Sequence, residues 1–380
     1  MKRLCLAVTA LLLATAGSAL HAQGPVEFRA AGFYESYKFD TDVGALQLES
    51  ISELSIPVGL NVNFGRIGDL AISSGFADVR LNSKNPTELP DQSVSGILDT
   101  EARLSLNIVP DRLMVLVNGA IPTGVKTVTQ NELAIVGSLS SDVIGFASPQ
   151  LGSGGNVGGG FAGAIPVGRF ALGLGGTYKL PLTYVPVSDR GDELKPGQEF
   201  RFRAGLEGPI GRRSYIRIAG IYAMRSKDEL DSETQNGVGN RIVGYVSLNQ
   251  GLGQTTLVLY GFDVFRSDPQ IEPTAIGAAI LPRGNLTAAG LRWTVPLASG
   301  ISVGPRAEFR YSLRALDDTD TALRKAGQSV RFGVDLRNQV NPQLAIVVQG
   351  DGITGELADP NRMMVGFQGF RFAVHTEITP

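Results

Sequence analysis

Apolar and polar residues alternate along a stretch in the middle of the chain. In residues 199–207, charged residues and glycine occupy every second position, and the positions between them are apolar. A side-chain period of two is typical of a β-strand with two unlike faces. Residues 209–213 then have the composition of a turn, and the alternation resumes over 215–224. The stretch predicts an antiparallel β-hairpin.

The same alternation repeats along the rest of the chain and predicts strands of a length that suits a tilted membrane-spanning strand, about 9–11 residues. The predicted strands are 26–39, 48–63, 70–81, 96–109, 112–121, 156–165, 169–184, 199–207, 215–224, 240–249, 255–265, 285–295, 301–313, 329–340, 344–351 and 363–374. Allowing for uncertain boundaries, we expect about 14–16 strands.

The predicted connections alternate in length. Short turns follow the even-numbered strands, and longer polar segments, such as 125–155 and 225–239, follow the odd-numbered ones. Short turns at one end and long loops at the other are typical of an outer-membrane barrel, in which the short turns face the periplasm. The pattern therefore predicts an all-β fold, namely a transmembrane antiparallel up-and-down β-barrel.

The two faces of the predicted strands support this fold over a soluble β-sandwich, which is the alternative. The water-exposed face of a sandwich usually favours Lys, Glu and Thr. Here Arg recurs instead at single positions of the polar face, opposite an apolar face. A chain of 380 residues with this pattern and no helical layer is also long for one sandwich.

The first 22 residues have the composition of a secretory signal peptide. Lys2 and Arg3 precede an apolar run, and small residues lie before cleavage points after Ala19 or Ala22. We expect residues 23–380 to form a single barrel domain in the outer membrane of a Gram-negative cell. Its expected partners are outer-membrane lipid, the barrel-assembly machinery and small-molecule solutes.

Composition narrows the chemistry. Cys5, the only cysteine, lies in the predicted signal peptide, so the mature chain can have no disulfide, cysteine metal site or thiol nucleophile. His375 is the only histidine of the predicted mature chain, and we expect it at the periplasmic end of the last strand. Acidic residues slightly outnumber basic ones, which argues against nucleic acid as a partner. We expect no cofactor, no metal and no catalytic residues.

Two segments resemble a known family. Residues 117–124 end a strand with Pro-Thr-Gly, and the glycine-rich residues 151–158 open the next strand, which leads into Thr-Tyr-Lys-Leu at 177–180. These segments resemble the outer-membrane transporter barrels of the meta-pathway of phenol degradation and, more distantly, the long-chain fatty acid transporters. The resemblance implies passage of small, hydrophobic or aromatic compounds. Such barrels commonly end on an aromatic residue, whereas this chain ends on Pro380.

The polar positions of the predicted strands form the candidate pore lining. They are Glu101, Arg103, Glu199, Arg201, Arg203, Arg217, Arg306, Glu308, Arg310, Arg331, Asp335 and Arg337. An excess of arginine in a lumen would favour anionic or polarised solutes. Alternatively, Arg and Glu pair across neighbouring strands and hold the interior together.

The connection 125–155 contains a capping-box sequence from Thr129 to Glu132, followed by apolar residues at near-helical spacing. Such a segment can fold inward and narrow a pore, or it can pack over the barrel mouth. The glycine-rich residues 152–160 match no nucleotide-binding motif, and we expect them to allow close approach of neighbouring backbones.

Three functions remain. The first is a channel or transporter for small, hydrophobic or aromatic solutes. The second is an outer-membrane hydrolase, which the single mature histidine disfavours because serine hydrolases and many metal sites need an imidazole. The third is a structural or surface-recognition barrel with a plugged lumen. An open, conducting lumen would distinguish the first from the third.

Overall fold

The computed structural model describes residues 26–41, 48–273, 275, 281–316, 322–341, 343–359 and 361–378. The predicted signal peptide lies outside these residues. The one helix in the described part is short, α1, Leu133–Leu139. No described helix is long and apolar enough to cross a membrane.

Sixteen antiparallel strands form one closed barrel in the described chain. They are β1 Val26–Phe39, β2 Leu48–Asn63, β3 Gly68–Ser83, β4 Gln92–Ile97 with Thr100–Val109, β5 Leu113–Ile121, β6 Asn156–Val167, β7 Phe170–Pro181, β8 Glu199–Pro209, β9 Ser214–Arg225, β10 Arg241–Leu252, β11 Thr255–Arg266, β12 Gly284–Ala298, β13 Ile301–Arg314, β14 Arg324–Asn341, β15 Leu344–Ala358 and β16 Met364–Ile378. Each strand pairs with the next, and β1 pairs with β16, where Phe39 lies opposite Phe367. The predicted fold and strand number are confirmed.

The connections confirm the predicted alternation. Residues 64–67, 110–112, 168–169, 210–213, 253–254 and 299–300 make short turns at one end. The connections at the other end are longer, and the β7–β8 and β9–β10 connections are joined by a small sheet. Leu194–Lys195, Glu229–Leu230 and Glu233–Thr234 form a small antiparallel sheet there.

β4 departs from the prediction of one continuous strand over 96–109, because it is interrupted at Leu98 and Asp99. The Leu98 N–H donates to the Gly75 carbonyl at 2.8 Å. The Asp99 carboxylate accepts from the Gly124 N–H at 3.0 Å and from the Ser153 N–H at 2.7 Å. Asp99 therefore does not continue the strand but binds both ends of the long connection.

The outer surface of β5–β14 is apolar. Large apolar side chains alternate along these strands, and more than a third of the surface of each is exposed; examples are Val117, Phe161, Phe202, Ile218 and Phe309. Water would be an unfavourable surrounding for so much contiguous apolar surface, whereas lipid hydrocarbon would be a favourable one.

One side of the barrel, formed by β14–β16 and β1–β3, is taller and has the opposite pattern at its long-loop end. β14 has 18 residues and β2 has 16, against 9 in β5. About 9–11 residues cross a bilayer, so the longer strands extend past the apolar band. In this extension Lys38 and Arg80 alternate with Tyr37 and Val79, and the two apolar side chains are fully buried. The wall here resembles a soluble sheet whose apolar face is turned inward.

Candidate channel interior

Cross-strand register identifies the interior face. Gly333 pairs with Asp351, Asp351 with Arg371, and Arg371 with Glu35. Glu35 and Arg371 contact the backbone of a loop that enters the barrel, so this row faces inward. The same alternation places all twelve candidate pore-lining residues on the interior face. That they line a path for solutes stays a prediction.

Five of the twelve residues line one recess of the wall, a cavity of about 440 Å³. They are Glu101, Arg103, Glu199, Arg201 and Arg203. The wall beside the recess, on β6 and β7, has glycine at interior positions such as Gly158 and Gly160. A Cβ on Gly160 would lie 2.2 Å from the Gly176 carbonyl oxygen, which confirms the predicted close backbone approach. The recess therefore has a charged rim beside a wall with few side chains.

Buried carboxylates hold Arg306, another of the candidates. Arg306 Nε donates to Asp351 Oδ1 at 2.9 Å, and its Nη1 lies 3.4 Å from Asp335 Oδ1. Arg292 Nε lies 2.9 Å from the other oxygen of Asp335. Because an isolated buried carboxylate costs several kcal/mol, the wall itself requires these cations. Here the pairing interpretation fits better than a free binding site.

Most of the other candidate arginines also have a partner. The ion pairs are Arg201–Glu199, Arg217–Glu207 at 2.6 Å, Arg310–Glu308 at 2.8 Å and Arg337–Glu377 at 2.8 Å. Arg103 reaches Asp69 only at 3.9 Å. Within the described residues, Arg203 makes neither a hydrogen bond nor an ion pair, and Glu101 is an electrostatic neighbour of Lys179, which also lines the recess. Basic residues outnumber acidic ones in the lining, so the recess keeps positive charge that its own wall does not neutralise.

The long connection between β5 and β6 folds into the barrel. Ile135, Leu139 and Ile144 are buried against inward side chains of the tall wall, among them Tyr37 and Ile51. The sequence left inward folding and covering of the mouth open, and the structure has the inward arrangement. On this side the interior is apolar where the loop packs, so the polar interior face does not extend around the whole barrel.

Residues 142–148 of this connection, the latch segment, are held by wall side chains that bind its backbone. Four consecutive carbonyls, from Asp142 to Gly145, accept hydrogen bonds; their donors are Arg310, Ser329, Arg331 and Arg371. Two amides donate to buried acids, Ala147 to Glu35 at 2.6 Å and Ser148 to Glu53 at 2.9 Å. Arg310 and Arg331 therefore position the loop.

The first part of the connection is tied to a different side of the barrel. Thr127 Oγ1 donates to the Val185 carbonyl at 2.6 Å, and the Ser188 N–H donates to the Val128 carbonyl at 2.9 Å. Glu132 Oε2 accepts from the Thr129 N–H at 2.7 Å, but the predicted capping box is wrong as a helix cap, because the N-cap of α1 is Glu132 and makes no side-chain cap hydrogen bond. The connection thus extends from the β7–β8 loop to β1, β2, β13, β14 and β16, and it crosses the interior.

Sequence reasoning missed Glu35, Glu53 and Arg371, which hold the latch segment. On β1 and β2 the inward positions mix acids with apolar residues, so they show no simple alternation of polar and apolar faces. An acid between aromatic residues, as in Tyr34-Glu35-Ser36-Tyr37, was the available signal. Such an acid on a strand needs a buried partner.

The described residues contain no group of three or more His, Cys, Asp or Glu that could hold a metal ion. His375 lies on β16 near its short-turn end, as predicted, with Nε2 3.8 Å from Glu377 Oε1.

Comparison with known proteins finds similarity only among solved structures. No family model matches the sequence, and no curated protein matches it. The crystal structure of Pseudomonas aeruginosa OpdQ aligns over 92% of this chain and 98% of its own, with 12% identity and a TM-score of 0.44. Acinetobacter baumannii OccAB3 aligns over the same shares, with 10% identity and a TM-score of 0.43. A bacterial polysaccharide outer membrane secretin aligns with 8% identity and a TM-score of 0.47, over 92% and 98% of the two chains.

Proposed function

We propose that this protein is an outer-membrane channel for small solutes, in which the inward-folded connection between β5 and β6 narrows the lumen. The single observation that carries the proposal is the pairing of an exposed apolar outer surface with a charged interior in one closed barrel. Lipid hydrocarbon suits the first surface, and water with polar solutes suits the second. Insertion by the barrel-assembly machinery belongs to the same proposal.

The solute class is a finer part of the proposal. The family resemblance implies small hydrophobic or aromatic compounds. The recess, however, has a rim of charged groups, and Arg203 there makes no hydrogen bond or ion pair with a described residue. Compounds that combine a small organic body with a charged group therefore suit the interior better than pure hydrocarbons do.

A second candidate, a plugged barrel with a structural or surface-recognition role, is supported by the latch segment. Six of its backbone groups are bound by wall side chains, so the loop has a fixed position inside the barrel. If the remaining space is too narrow for solutes, the loops at the exposed end would carry the function. The hydrolase alternative has less support, since His375 lies near the short-turn end, with its Nε2 3.8 Å from Glu377 Oε1.

Swelling of reconstituted phospholipid vesicles tests the proposal. Vesicles that contain the full-length protein are placed in isosmotic arabinose or sodium acetate, and protein-free vesicles are the control. A channel predicts swelling faster than the control. Swelling no faster than the control would contradict a channel. Swelling seen only after deletion of residues 131–146 would support the plugged barrel.

A further inference from the structure

Four interior arginines lie in one row across six strands. Arg201 on β8 pairs with Ala223, and Ala223 pairs with Arg241 on β10. Arg241 lies directly opposite Arg266 on β11. Gly284 on β12 then separates Arg266 from Arg314 on β13. We call Arg201, Arg241, Arg266 and Arg314 the arginine row. Neighbouring strands are about 4.8 Å apart, so consecutive members lie roughly 5–10 Å apart at the backbone.

The arginine row has more charge than the wall around it neutralises. Arg201 pairs with Glu199, but Arg241, Arg266 and Arg314 make no hydrogen bond or ion pair with any described residue. Like charges directly opposite each other on two strands are destabilising, and Arg241 and Arg266 have this relation. The row differs in this respect from Arg306, which two buried carboxylates hold. A bound anion would relieve the repulsion.

The arginine row also connects two cavities. Arg201 lines the recess of about 440 Å³. Arg314, at the other end, lines a second cavity of about 640 Å³ between the barrel wall and the inward-folded loop. Asp142 of the latch segment lines this second cavity as well, and it is an electrostatic neighbour of Arg266. Ala223 and Gly284, between the arginines, add almost no side-chain volume.

From this arrangement we infer that the arginine row is a binding track for small organic carboxylates, along which they pass from the loop-side cavity to the recess. The inference rests on the proposed channel function. A guanidinium presents paired N–H donors that match a carboxylate. Several sites at short spacing let an anion bind at each step and still leave, which conduction requires. Asp142 opposes retention at one point of the track because its charge repels an anion.

The first test measures reversal potentials of the full-length protein in planar bilayers, in gradients of potassium chloride and of potassium acetate. The row variant is Arg241→Gln with Arg266→Gln. The control, Arg112→Gln with Arg212→Gln, removes the same charge from two short turns. The unmodified protein should prefer anions, with acetate favoured over the value expected from its mobility. The row variant should lower the anion-to-cation permeability ratio roughly fourfold or more, as two unit charges about 10 Å from the path would in water.

An unchanged permeability ratio in the row variant, or an equal decrease of this ratio in the control, would overturn the inference that the arginine row is a binding track for anions. Equal effects on chloride and acetate would overturn the carboxylate assignment. An unmodified protein without conductance would contradict the proposed function. In that case heat-induced unfolding in detergent tests whether the arginine row binds carboxylates. If the row binds carboxylates, acetate should raise the unfolding midpoint of the unmodified protein more than chloride does, and it should not do so in the row variant. Equal shifts in both proteins would overturn the inference.

Discussion

Replacement of Arg371 by methionine is the strongest test of how the wall holds the latch segment, because Arg371 binds both the wall and this segment. Arg371 Nε and Nη2 donate to Glu35 Oε2 at 3.0 and 2.7 Å, and Nη2 also donates to the Gly145 carbonyl. The side chains are 9% exposed for Arg371 and fully buried for Glu35. The substitution leaves the Glu35 carboxylate buried without its cation.

The expected loss follows from these contacts. Breaking a buried ion pair costs about 3–5 kcal/mol when the other charge stays behind. Glu35 keeps the Tyr37 hydroxyl at 2.6 Å and the Ala147 N–H at 2.6 Å, so the low end of that range applies to the pair. The lost hydrogen bond to Gly145 adds about 1 kcal/mol. We therefore expect Arg371→Met to lower the free energy of unfolding by about 3–4 kcal/mol.

Urea unfolding in phospholipid vesicles measures this loss, with the fluorescence of Trp293, the only tryptophan, as the signal. Adding Glu35→Gln should restore roughly 2 kcal/mol, since the buried charge is then gone. Arg80→Met is the matched control. Arg80 pairs with Asp78 at 2.9 Å in a half-exposed position, where a pair contributes about 1 kcal/mol or less. Equal losses in Arg371→Met and Arg80→Met, or no recovery in the double variant, would refute the reasoning.

Two further substitutions test the outer face and the base of the loop. Phe202→Arg places a charge in the apolar outer surface and should lower the free energy of unfolding by about 2–4 kcal/mol near the bilayer midplane. Ala219→Arg, on the interior face, should lower it much less. Similar losses for the two variants in urea unfolding would show that the faces are assigned wrongly. Asp99→Ala removes the acceptor of the Gly124 and Ser153 N–H groups. We therefore expect faster protease cleavage within residues 124–153 of the folded protein and a free energy of unfolding lower by about 1–3 kcal/mol. An unchanged cleavage rate would contradict the role of Asp99 in holding the ends of the connection.

The strands were predictable because their energetics are local to each strand. On β8, β9 and β13, apolar residues alternate with Arg, Glu and Gly. This period of two predicts a strand with one apolar and one polar face. The short turns were equally readable from Gly, Pro and Asn. These features predicted the barrel, its closure by an even number of strands and the end at which the long loops lie.

The loop position and the mixed faces of the tall wall were not predictable in this way. Tyr37 and Ile51 are buried because residues 133–146 pack on them, and this contact joins segments about 90 residues apart in sequence. Glu35 binds Arg371 across the closing pair of strands, although the two residues are 336 positions apart in sequence. The interruption of β4 at Asp99 likewise involves distant partners, Gly124 and Ser153. Period alone carries no information on such distant partners.

The arginine row shows the same limit within the interior. The sequence pattern identified Arg201 as an inward residue but gave no register between strands. Arg241, Arg266 and Arg314 each lie at the end of a strand, where alternation is weakest. Only the pairing of β10 with β11 places Arg241 opposite Arg266.

Single-channel recording in planar bilayers tests the central claim most directly, namely that a solute path remains beside the inward-folded loop. The purified full-length protein is compared with a variant that lacks residues 131–146. The account predicts discrete conductance steps from the full-length protein and larger steps from the variant, because the deletion removes α1 and most of the latch segment from the lumen. Silence from the full-length protein would contradict an open path, and equal steps from both proteins would contradict the role of the loop in narrowing it.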